Sequence, residues 1–352
     1  MDIDSLIYDP VFQLNLLLWM AKEQPKEGYR VKPLFYEQGF KILYIENPFA
    51  FPVETAETIS NSGIDISIAP EPDLLLKRTA DAKALYLEAK SNSFGIESKD
   101  NSKQARGHLM ATGPAFSEVY KPLRSCLLCY VLPENGRNLM DQCLSALTDE
   151  LEKASLKPGK HSINGLGVES AALVYSWDSA FKDYLGITED SALIIGDITK
   201  DTDPSPMLLV FSDEDCHNTE MRDFYRRVLL EQARARLLCD LHPQSIGTKY
   251  ETTPDGLLGK TTDGIFSYLS RERQKGLRRL IRDNLFKRIR DYWQDKQPGI
   301  SLANDQMGIV WKTAEEKEEF LNWLEDRRIK FDSNKPVEEA SFDPFWSSGK
   351  NA

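Results

Sequence analysis

Two short apolar segments with acidic residues at their ends place the strongest constraint on this chain. The segments at 74–76 and 84–89 are rich in Leu, Ala and Tyr and predict neighbouring β-strands. Asp73 directly precedes the first segment, and Glu88 and Lys90 close the second. Side chains alternate between the two faces of a strand, so Glu88 and Lys90 share one face. The pattern therefore predicts two carboxylates and one amine that converge at adjacent strand ends.

This combination of side chains suits the hydrolysis of phosphodiesters, in which water is a poor nucleophile and the phosphate already carries negative charge. A hard cation such as Mg²⁺ lowers the pKa of its bound water and neutralises the charge that develops on the phosphate. Mg²⁺ takes one or two carboxylates, while water and substrate phosphate complete its shell. Asp73 and Glu88 would supply the carboxylates, and Lys90 would orient the attacking water or stabilise the pentavalent phosphorus.

The Pro-Asp dipeptide and the Glu-Ala-Lys tripeptide at these positions resemble the motif of the PD-(D/E)xK nuclease superfamily, and the resemblance covers residues 10–135. It implies an α/β fold with the restriction-endonuclease-like αβββαβ core. It also implies that Asp73, Glu88 and the backbone carbonyl of Ala89 bind Mg²⁺ or Mn²⁺. Lys90 would then be the catalytic lysine.

Many members of that superfamily carry a polar residue on the helix that follows the lysine strand. Gln104, on a helix predicted over 102–112, fits that place. Some members use an acidic residue on the first helix, and the candidates here are Glu23, Glu54 and Glu57. None of these three is distinguished from the others, so the number of metal ions is left open.

Two features of the sequence compete with this interpretation. Asp65 is an alternative to Asp73, because the alternation of Ile with other residues over 64–68 predicts a further strand. Cys126 and Cys129 have the spacing of zinc ligands, but they lie in a predicted buried strand without a second Cys or His pair, which favours core cysteines. The D/E-x-K pattern itself recurs in polar or helical surroundings that predict solvated faces, at 81–83, 97–99 and 315–317.

The helix predicted over 102–112 carries further polar candidates. Lys103 and Arg106 lie near its start and are predicted to hold a phosphate of nucleic acid. His108 follows Gln104 by four residues, so the two can share a helix face. This places His108 either in contact with nucleic acid or, as the simpler interpretation, on the surface without a function.

A basic helix is predicted over 267–293. Between residues 271 and 296, ten cationic side chains oppose four acidic ones, although the whole chain has a net charge of −11. Its cationic face, including Arg278, Arg279 and Arg282, is predicted to run along a nucleic-acid backbone. The alternative partner is an acidic protein surface, such as the helix predicted from Thr313 to about residue 326 of the same chain.

The remaining pattern predicts the organisation of the chain. After the nuclease-like core an additional α+β region follows, then a linker rich in Thr and Gly, a helical region with the basic helix, and a flexible tail. The predicted boundaries are 1–135, 136–246, 247–264, 265–332 and 333–352.

Composition limits the compartment and the partners. The five cysteines are odd in number and scattered, which indicates a reducing compartment and hence the cytoplasm. The longest apolar run is too short to cross a bilayer, so no membrane is expected. The net negative charge argues against a protein that coats DNA with a uniformly cationic surface, but it leaves room for a local basic groove.

These observations predict a metal-dependent endonuclease that hydrolyses nucleic acid, with DNA favoured over RNA and a role in restriction or phage defence implied by the resemblance. A homodimer or a partner subunit is compatible with this function, because cutting two strands with one site per chain favours two copies. The alternative hypothesis is a non-catalytic subunit that uses the nuclease fold to bind nucleic acid or a partner protein in a larger complex.

Overall fold

A computed structural model describes residues 3–25, 30–196, 205–213, 216, 218–296, 299–326 and 329–331. The chain divides into two compact units, Met1–Met207 with Tyr268–Ser270 and Leu208–Ser267 with Arg271–Ala352. The sequence instead places boundaries at 135 and 246. The predicted flexible tail at 333–352 lies outside the described residues.

The first unit is built on a seven-stranded mixed sheet in which the strand order follows the chain order. The pairs β3–β4 and β4–β5 are parallel, and the other neighbours are antiparallel. The central strand β4 is buried along all but its first residue, as expected for a strand covered on both faces. The strands are β1 Lys41–Ile45, β2 Leu74–Arg78, β3 Lys83–Ala89, β4 Ser125–Pro133, β5 Lys160–Glu169, β6 Ala172–Ser176 and β7 Ser191–Ile195.

Helices cover both faces of this sheet, which confirms the predicted α/β class. They are α1 Ile3–Leu6, α2 Pro10–Ala21, α3 Leu34–Glu37, α4 Val53–Asn61, α5 Lys99–Ala111, α6 Pro114–Val119, α7 Arg137–Lys153 and α8 Ser179–Leu185. On one face, α5 and α7 bury Leu109 and Leu144 against Leu128 of β4. On the other, α2 contacts β2 and β3, and α8 contacts β4 and β5. Each fully buried leucine of this kind stabilises the fold by roughly 1.5–3 kcal/mol.

The strand predicted over 64–68 does not form. Helix α4 ends just before it, Gly63 adopts a positive φ of 73°, and Pro70 follows without a backbone donor. The segment packs instead on α5, where the Ser67 amide donates to the Lys103 carbonyl at 3.1 Å. The alternation of isoleucines is therefore not a strand signal here, since Ile68 is exposed.

Asp178 fixes the start of α8 to the sheet. Its carboxylate accepts hydrogen bonds from the Phe181 amide at 2.9 Å, the Ser162 hydroxyl at 2.8 Å and the Ile163 amide at 2.8 Å. We expect Asp178→Ala to lower the free energy of unfolding by about 2–4 kcal/mol, because it removes a helix cap and leaves the buried Ile163 amide without its acceptor.

Urea denaturation of the full chain measures this change, and Asp190→Ala is the matched control. Asp190 lies in the same region and pairs with Lys182 at 2.7 Å, but its side chain is 83% exposed. Its removal should change stability by no more than about 0.5 kcal/mol. Equal effects of the two substitutions would contradict the assigned capping role.

The second unit combines a small sheet with long helices. Its three antiparallel strands, in the order β8-β10-β9, are β8 Tyr250–Thr252, β9 Ile300–Ala303 and β10 Gln306–Ile309. Its helices are α9 Thr219–Leu241, α10 Pro254–Thr261, α11 Arg271–Ile281, α12 Lys287–Trp293 and α13 Ala314–Glu325. A π-helical turn at Arg282–Phe286 joins α11 to α12, so the predicted basic helix and the predicted helix after Thr313 are both confirmed.

The prediction of a linker over 247–264 is wrong, because this segment contains β8 and α10. The side chain of Thr253 caps α10 by accepting from the Gly256 amide at 3.1 Å, and Pro254 occupies the first turn. A Thr-Pro pair is typical of a helix start, but here it lies among several Gly and Thr residues whose abundance is typical of a linker. Within the described ranges, no helix is both long and apolar enough to cross a membrane.

Candidate functional site

The antiparallel pair β2–β3 brings the two predicted acids together. Leu74 pairs with Leu87, so the next residues outward, Asp73 and Glu88, lie opposite each other. The Asp73 carboxylate accepts a hydrogen bond from the backbone amide of Ala89 at 2.5 Å. The amide and carbonyl of one strand residue point to the same side, so the Ala89 carbonyl also faces the side of Asp73.

Glu88 and Lys90 lie on one face of the sheet, as the strand period predicts. The Lys90 ammonium is 2.8 Å from Glu88 Oε1, and their side chains are 21% and 3% exposed respectively. The ammonium also donates to Gln104 Oε1 at 3.0 Å. The structure therefore brings together all four side chains predicted to be catalytic, Asp73, Glu88, Lys90 and Gln104.

Helix α5 packs closely on the 67–70 segment because it carries a glycine at that contact. A Cβ atom on Gly107 would lie 2.8 Å from Ser67 and 3.2 Å from Pro70, closer than van der Waals contact allows. Elsewhere on the same helix, Gln104 and His108, one helical turn apart, face the strand that carries Glu88. A larger side chain at position 107 would collide with the 67–70 segment that packs on this helix.

His108 is buried, so its interpretation as a surface residue is wrong. Its Nδ1 lies 3.1 Å from the Tyr130 hydroxyl and 4.0 Å from Glu88 Oε2, and its ring lies 5.2 Å from that of Tyr86. Burial lowers the pKa of His108 to about 4, and the nearby Glu88 carboxylate only partly opposes this shift. His108 is therefore neutral at neutral pH and forms part of the wall behind Glu88.

Two polar residues at the site have no counterpart in the sequence prediction. Glu46, which follows β1, is buried, and its amide donates to the Asp73 carbonyl at 3.3 Å. Gln13, on α2, donates from Nε2 to the Lys90 carbonyl at 3.1 Å. Glu46 could have been noticed because β1 neighbours β2 in the sheet, whereas Gln13 gives no signal within an apolar helix.

The charges at the site are strongly interdependent. Burial raises the pKa of Asp73 well above its ordinary value, the Glu88 carboxylate raises it further, and Glu46 adds a smaller effect. The Lys90 ammonium and the Ala89 amide act in the opposite direction. Burial alone would lower the pKa of Lys90, but the carboxylates of Glu88 and Asp73 raise it above its ordinary value. Burial and the neighbouring carboxylates therefore make a negative charge on Asp73 costly in the folded protein.

This site offers hard oxygen donors to a cation. Among the described residues, no group of three or more His, Cys, Asp or Glu side chains is arranged to hold a metal ion, so Glu46 does not complete a three-acid centre. The predicted ligand set needs only Asp73, Glu88 and the Ala89 carbonyl. Glu88 Oε2 is buried without a hydrogen-bond partner, an arrangement that is costly unless a further group binds there. The residues present therefore fit Mg²⁺ or Mn²⁺.

The other acidic candidates lie on the surface. Asp65 is 69% exposed and pairs with Lys103 at 2.9 Å, so it does not belong to the buried cluster around Glu88 and Lys90. The three candidates for a second metal are all exposed: Glu23, Glu54 and Glu57.

The predicted contacts to nucleic acid on α5 are paired within the protein. Lys103 forms its ion pair with Asp65, and Arg106 forms one with Glu150 of α7 at 2.8 Å, where its side chain is 13% exposed. Their contact with nucleic acid stays a prediction. Cys126 and Cys129 are confirmed as buried free cysteines.

In the second unit, the three predicted arginines differ in their surroundings. Arg278 contacts Asp255 of α10 at 2.5 Å, and Arg282 contacts Asp283 at 2.9 Å. Arg279 is 79% exposed, with Asp283 at 3.5 Å. The Arg282 guanidinium at 2.9 Å and the Lys287 ammonium at 2.7 Å lower the pKa of Asp283 strongly.

Comparison with protein-family models, with curated proteins and with solved structures finds no match to this chain. The function must therefore be inferred from the geometry of the site itself.

Proposed function

We propose that this protein is a metal-dependent nuclease that hydrolyses phosphodiester bonds in DNA. The observation that carries this proposal is the convergence of Asp73, Glu88 and Lys90 at neighbouring strand ends. Two carboxylates and one amine share a half-buried site, with the ammonium 2.8 Å from Glu88 and Asp73 bonded to the amide between them. In addition, Glu88 Oε2 is buried without a hydrogen-bond partner, which a simple structural ion pair between Glu88 and Lys90 does not explain.

The order of elements supports the same proposal. Helix α2, strands β1, β2 and β3, helix α5 and strand β4 follow one another in the order of the αβββαβ core expected for the PD-(D/E)xK superfamily. The short helices α3, α4 and α6 are additions to that order. The acids stand at the ends of the second and third strands and the polar Gln104 stands on the next helix, which are the places that the resemblance assigns to them.

Asp73, Glu88 and the Ala89 carbonyl would hold the metal ion. When bound, Mg²⁺ or Mn²⁺ would activate water and stabilise the negative charge of the phosphate in the transition state. Glu46 adds a negative charge near Asp73 without being a ligand. Gln13 fixes the backbone next to the ligands through the Lys90 carbonyl.

Lys90 would act directly on the substrate. Its ammonium has three N–H donors, and its partners here are Glu88 and Gln104. The third donor can reach the attacking water or a phosphoryl oxygen, because the side chain is still 21% exposed. Gln104 orients the ammonium, so it is a positioning residue.

Cleavage of supercoiled plasmid and of linear duplex DNA tests this function. We expect nicking with Mg²⁺ or Mn²⁺, none in EDTA, and a loss of about 10²–10³-fold in Glu88→Gln, since the amide keeps the shape but removes the charge. Glu97→Gln is the matched control, because Glu97 belongs to the D/E-x-K copy at 97–99 and is exposed.

Cleavage that persists in EDTA, or that Glu88→Gln leaves unchanged, would contradict the proposed site. Absence of cleavage across DNA and RNA substrates and both metals would favour the alternative, a non-catalytic subunit with this fold.

A further inference from the structure

The second unit has the element order of a helix-turn-helix followed by a β-hairpin. Helix α9 is followed by β8, then by α10 and α11, and then by the hairpin β9–β10. The last strand β10 lies between β8 and β9 in the antiparallel sheet. We propose that this unit is a winged-helix module that binds duplex DNA, with α11 as the helix that enters the major groove.

Helices α10 and α11 are fixed to each other as such a module requires. Arg278 of α11 contacts Asp255 of α10 at 2.5 Å, and its guanidinium lies over the Phe266 ring at 5.7 Å. Leu257 of α10 and Leu277 of α11 are both buried. Arg278 therefore holds the helix pair together and is not the residue that we expect to contact DNA.

The solvent side of α11 carries an exposed row of cations. Arg271, Lys275 and Arg279 follow one another at intervals of four, which places them on one stripe of the helix. All three are exposed, while Leu277 and Ile281 are buried. In the part of the chain that the structure describes, neither Arg271 nor Lys275 has an ion-pair partner. An exposed row of cations along one stripe of a helix suits a polyanion such as the phosphate backbone of nucleic acid.

The hairpin is tied to the same helix. Its turn is formed by Asn304 and Asp305, with positive φ values of 50° and 63°, as a two-residue type I′ turn requires. Asp305 lies 3.9 Å from Arg282, which follows α11. Arg282 thus lies between the hairpin and α11. Of the three predicted arginines, Arg279 is the most exposed and is the one we expect to contact DNA.

The alternative partner for the basic helix, the acidic helix α13, does not occupy the cationic row. In the described residues, Arg271, Lys275 and Arg279 form no ion pair with an acid of α13. That helix contacts α9, and its Trp323 stacks on Tyr292 at 4.9 Å. Arg271 and Lys275 therefore stay available, and Arg279 keeps 79% of its side chain exposed beside Asp283. A polyanion is the partner that this charge fits.

Duplex DNA fits better than folded RNA, because the major groove of B-form DNA admits an α-helix and that of A-form RNA does not. This inference concerns binding by the second unit and does not depend on the proposed nuclease activity. Its test is therefore carried out in EDTA, where no cleavage is expected.

Fluorescence anisotropy of the full chain with a labelled duplex of about 25 base pairs measures the binding. The test variant replaces Arg271, Lys275 and Arg279 by Gln together. We expect its affinity to fall at least about tenfold, and the slope of log K against log salt to decrease by about three, one for each lost phosphate contact.

The matched control replaces Arg236, Lys249 and Lys312 by Gln, which removes the same charge from the same unit. Lys249 directly precedes Tyr250, and Lys312 follows Ile309 by three residues. Tyr250 and Ile309 pair at the end of the sheet away from the hairpin turn. This control should bind DNA as the wild type does. Circular dichroism of both triple variants verifies that they are folded.

Single-stranded DNA and duplex RNA of the same length are the competing ligands, and both should bind more weakly than duplex DNA. The proposal is overturned if the wild type does not bind the duplex, if RNA or a single strand binds better, or if the two triple variants lose affinity equally.

Discussion

Replacing Lys90 by Ala should reduce DNA cleavage by about 10³-fold, equivalent to roughly 4 kcal/mol of transition-state stabilisation. The reason is that the ammonium is the only donor proposed to act on the phosphate or the attacking water. The same substitution removes the positive charge that lies 2.8 Å from Glu88 and opposes the negative charge around Asp73. Both losses weaken the site, and among the described residues no neighbouring cation takes the place of the Lys90 ammonium.

Lysines from two other copies of the D/E-x-K pattern are matched controls for this experiment. Lys83 lies at the start of β3 and Lys99 at the start of α5, and both are at least partly exposed. Lys83→Ala and Lys99→Ala should cleave plasmid at close to the wild-type rate. DNA binding in EDTA separates chemistry from affinity, since Lys90→Ala should bind duplex DNA as tightly as the wild type through the second unit. Full cleavage by Lys90→Ala would show that the lysine only neutralises buried acids.

The strand ends that form the candidate site could be predicted from the sequence because the signals are local. Period two in 84–90 fixes the common face of Glu88 and Lys90, and the apolar run before it fixes the strand. The antiparallel pairing that brings Asp73 opposite Glu88 needs only a short turn between two strands. Gln104 could be placed because it lies on the helix that immediately follows.

The surroundings of the site could not be predicted, because they depend on contacts between distant segments. Burial of His108 follows from the packing of α5 on the sheet, where its ring contacts Tyr86 of β3 and Tyr130 of β4. Glu46 joins the site only because β1 pairs with β2. Strand β5, Lys160–Glu169, forms although Asn164 and Gly165 disfavour strands, because pairing with the neighbouring strands overrides that preference.

Replacing Asp73 by Asn should stabilise the metal-free protein while it abolishes metal binding. The pKa of Asp73 is raised in the folded state by burial and then by the Glu88 carboxylate, so its negative charge opposes folding. Asn removes that charge and can still accept the hydrogen bond from the Ala89 amide. We expect the free energy of unfolding at pH 8 to rise by on the order of 1 kcal/mol, as is common when a functional site is neutralised.

The pH dependence of this gain follows from the direction of the pKa shift. A carboxyl whose pKa is raised on folding destabilises the folded state above that raised pKa, and the cost vanishes as the pH falls towards the unfolded value of 3.8. The advantage of Asp73→Asn should therefore be largest at alkaline pH and shrink in acid. A gain that grows as the pH falls would contradict the assigned charge interaction.

Metal titration completes the experiment. Mn²⁺ at about one hundred times its dissociation constant should stabilise the wild type by about 2.7 kcal/mol, because a ligand that binds only the folded state stabilises it by mass action. Asp73→Asn should show no such response, and Asp65→Asn should respond as the wild type does, since Asp65 lies exposed beside Lys103. If Mn²⁺ still stabilises Asp73→Asn but no longer stabilises Asp65→Asn, then Asp65 and not Asp73 is the metal ligand.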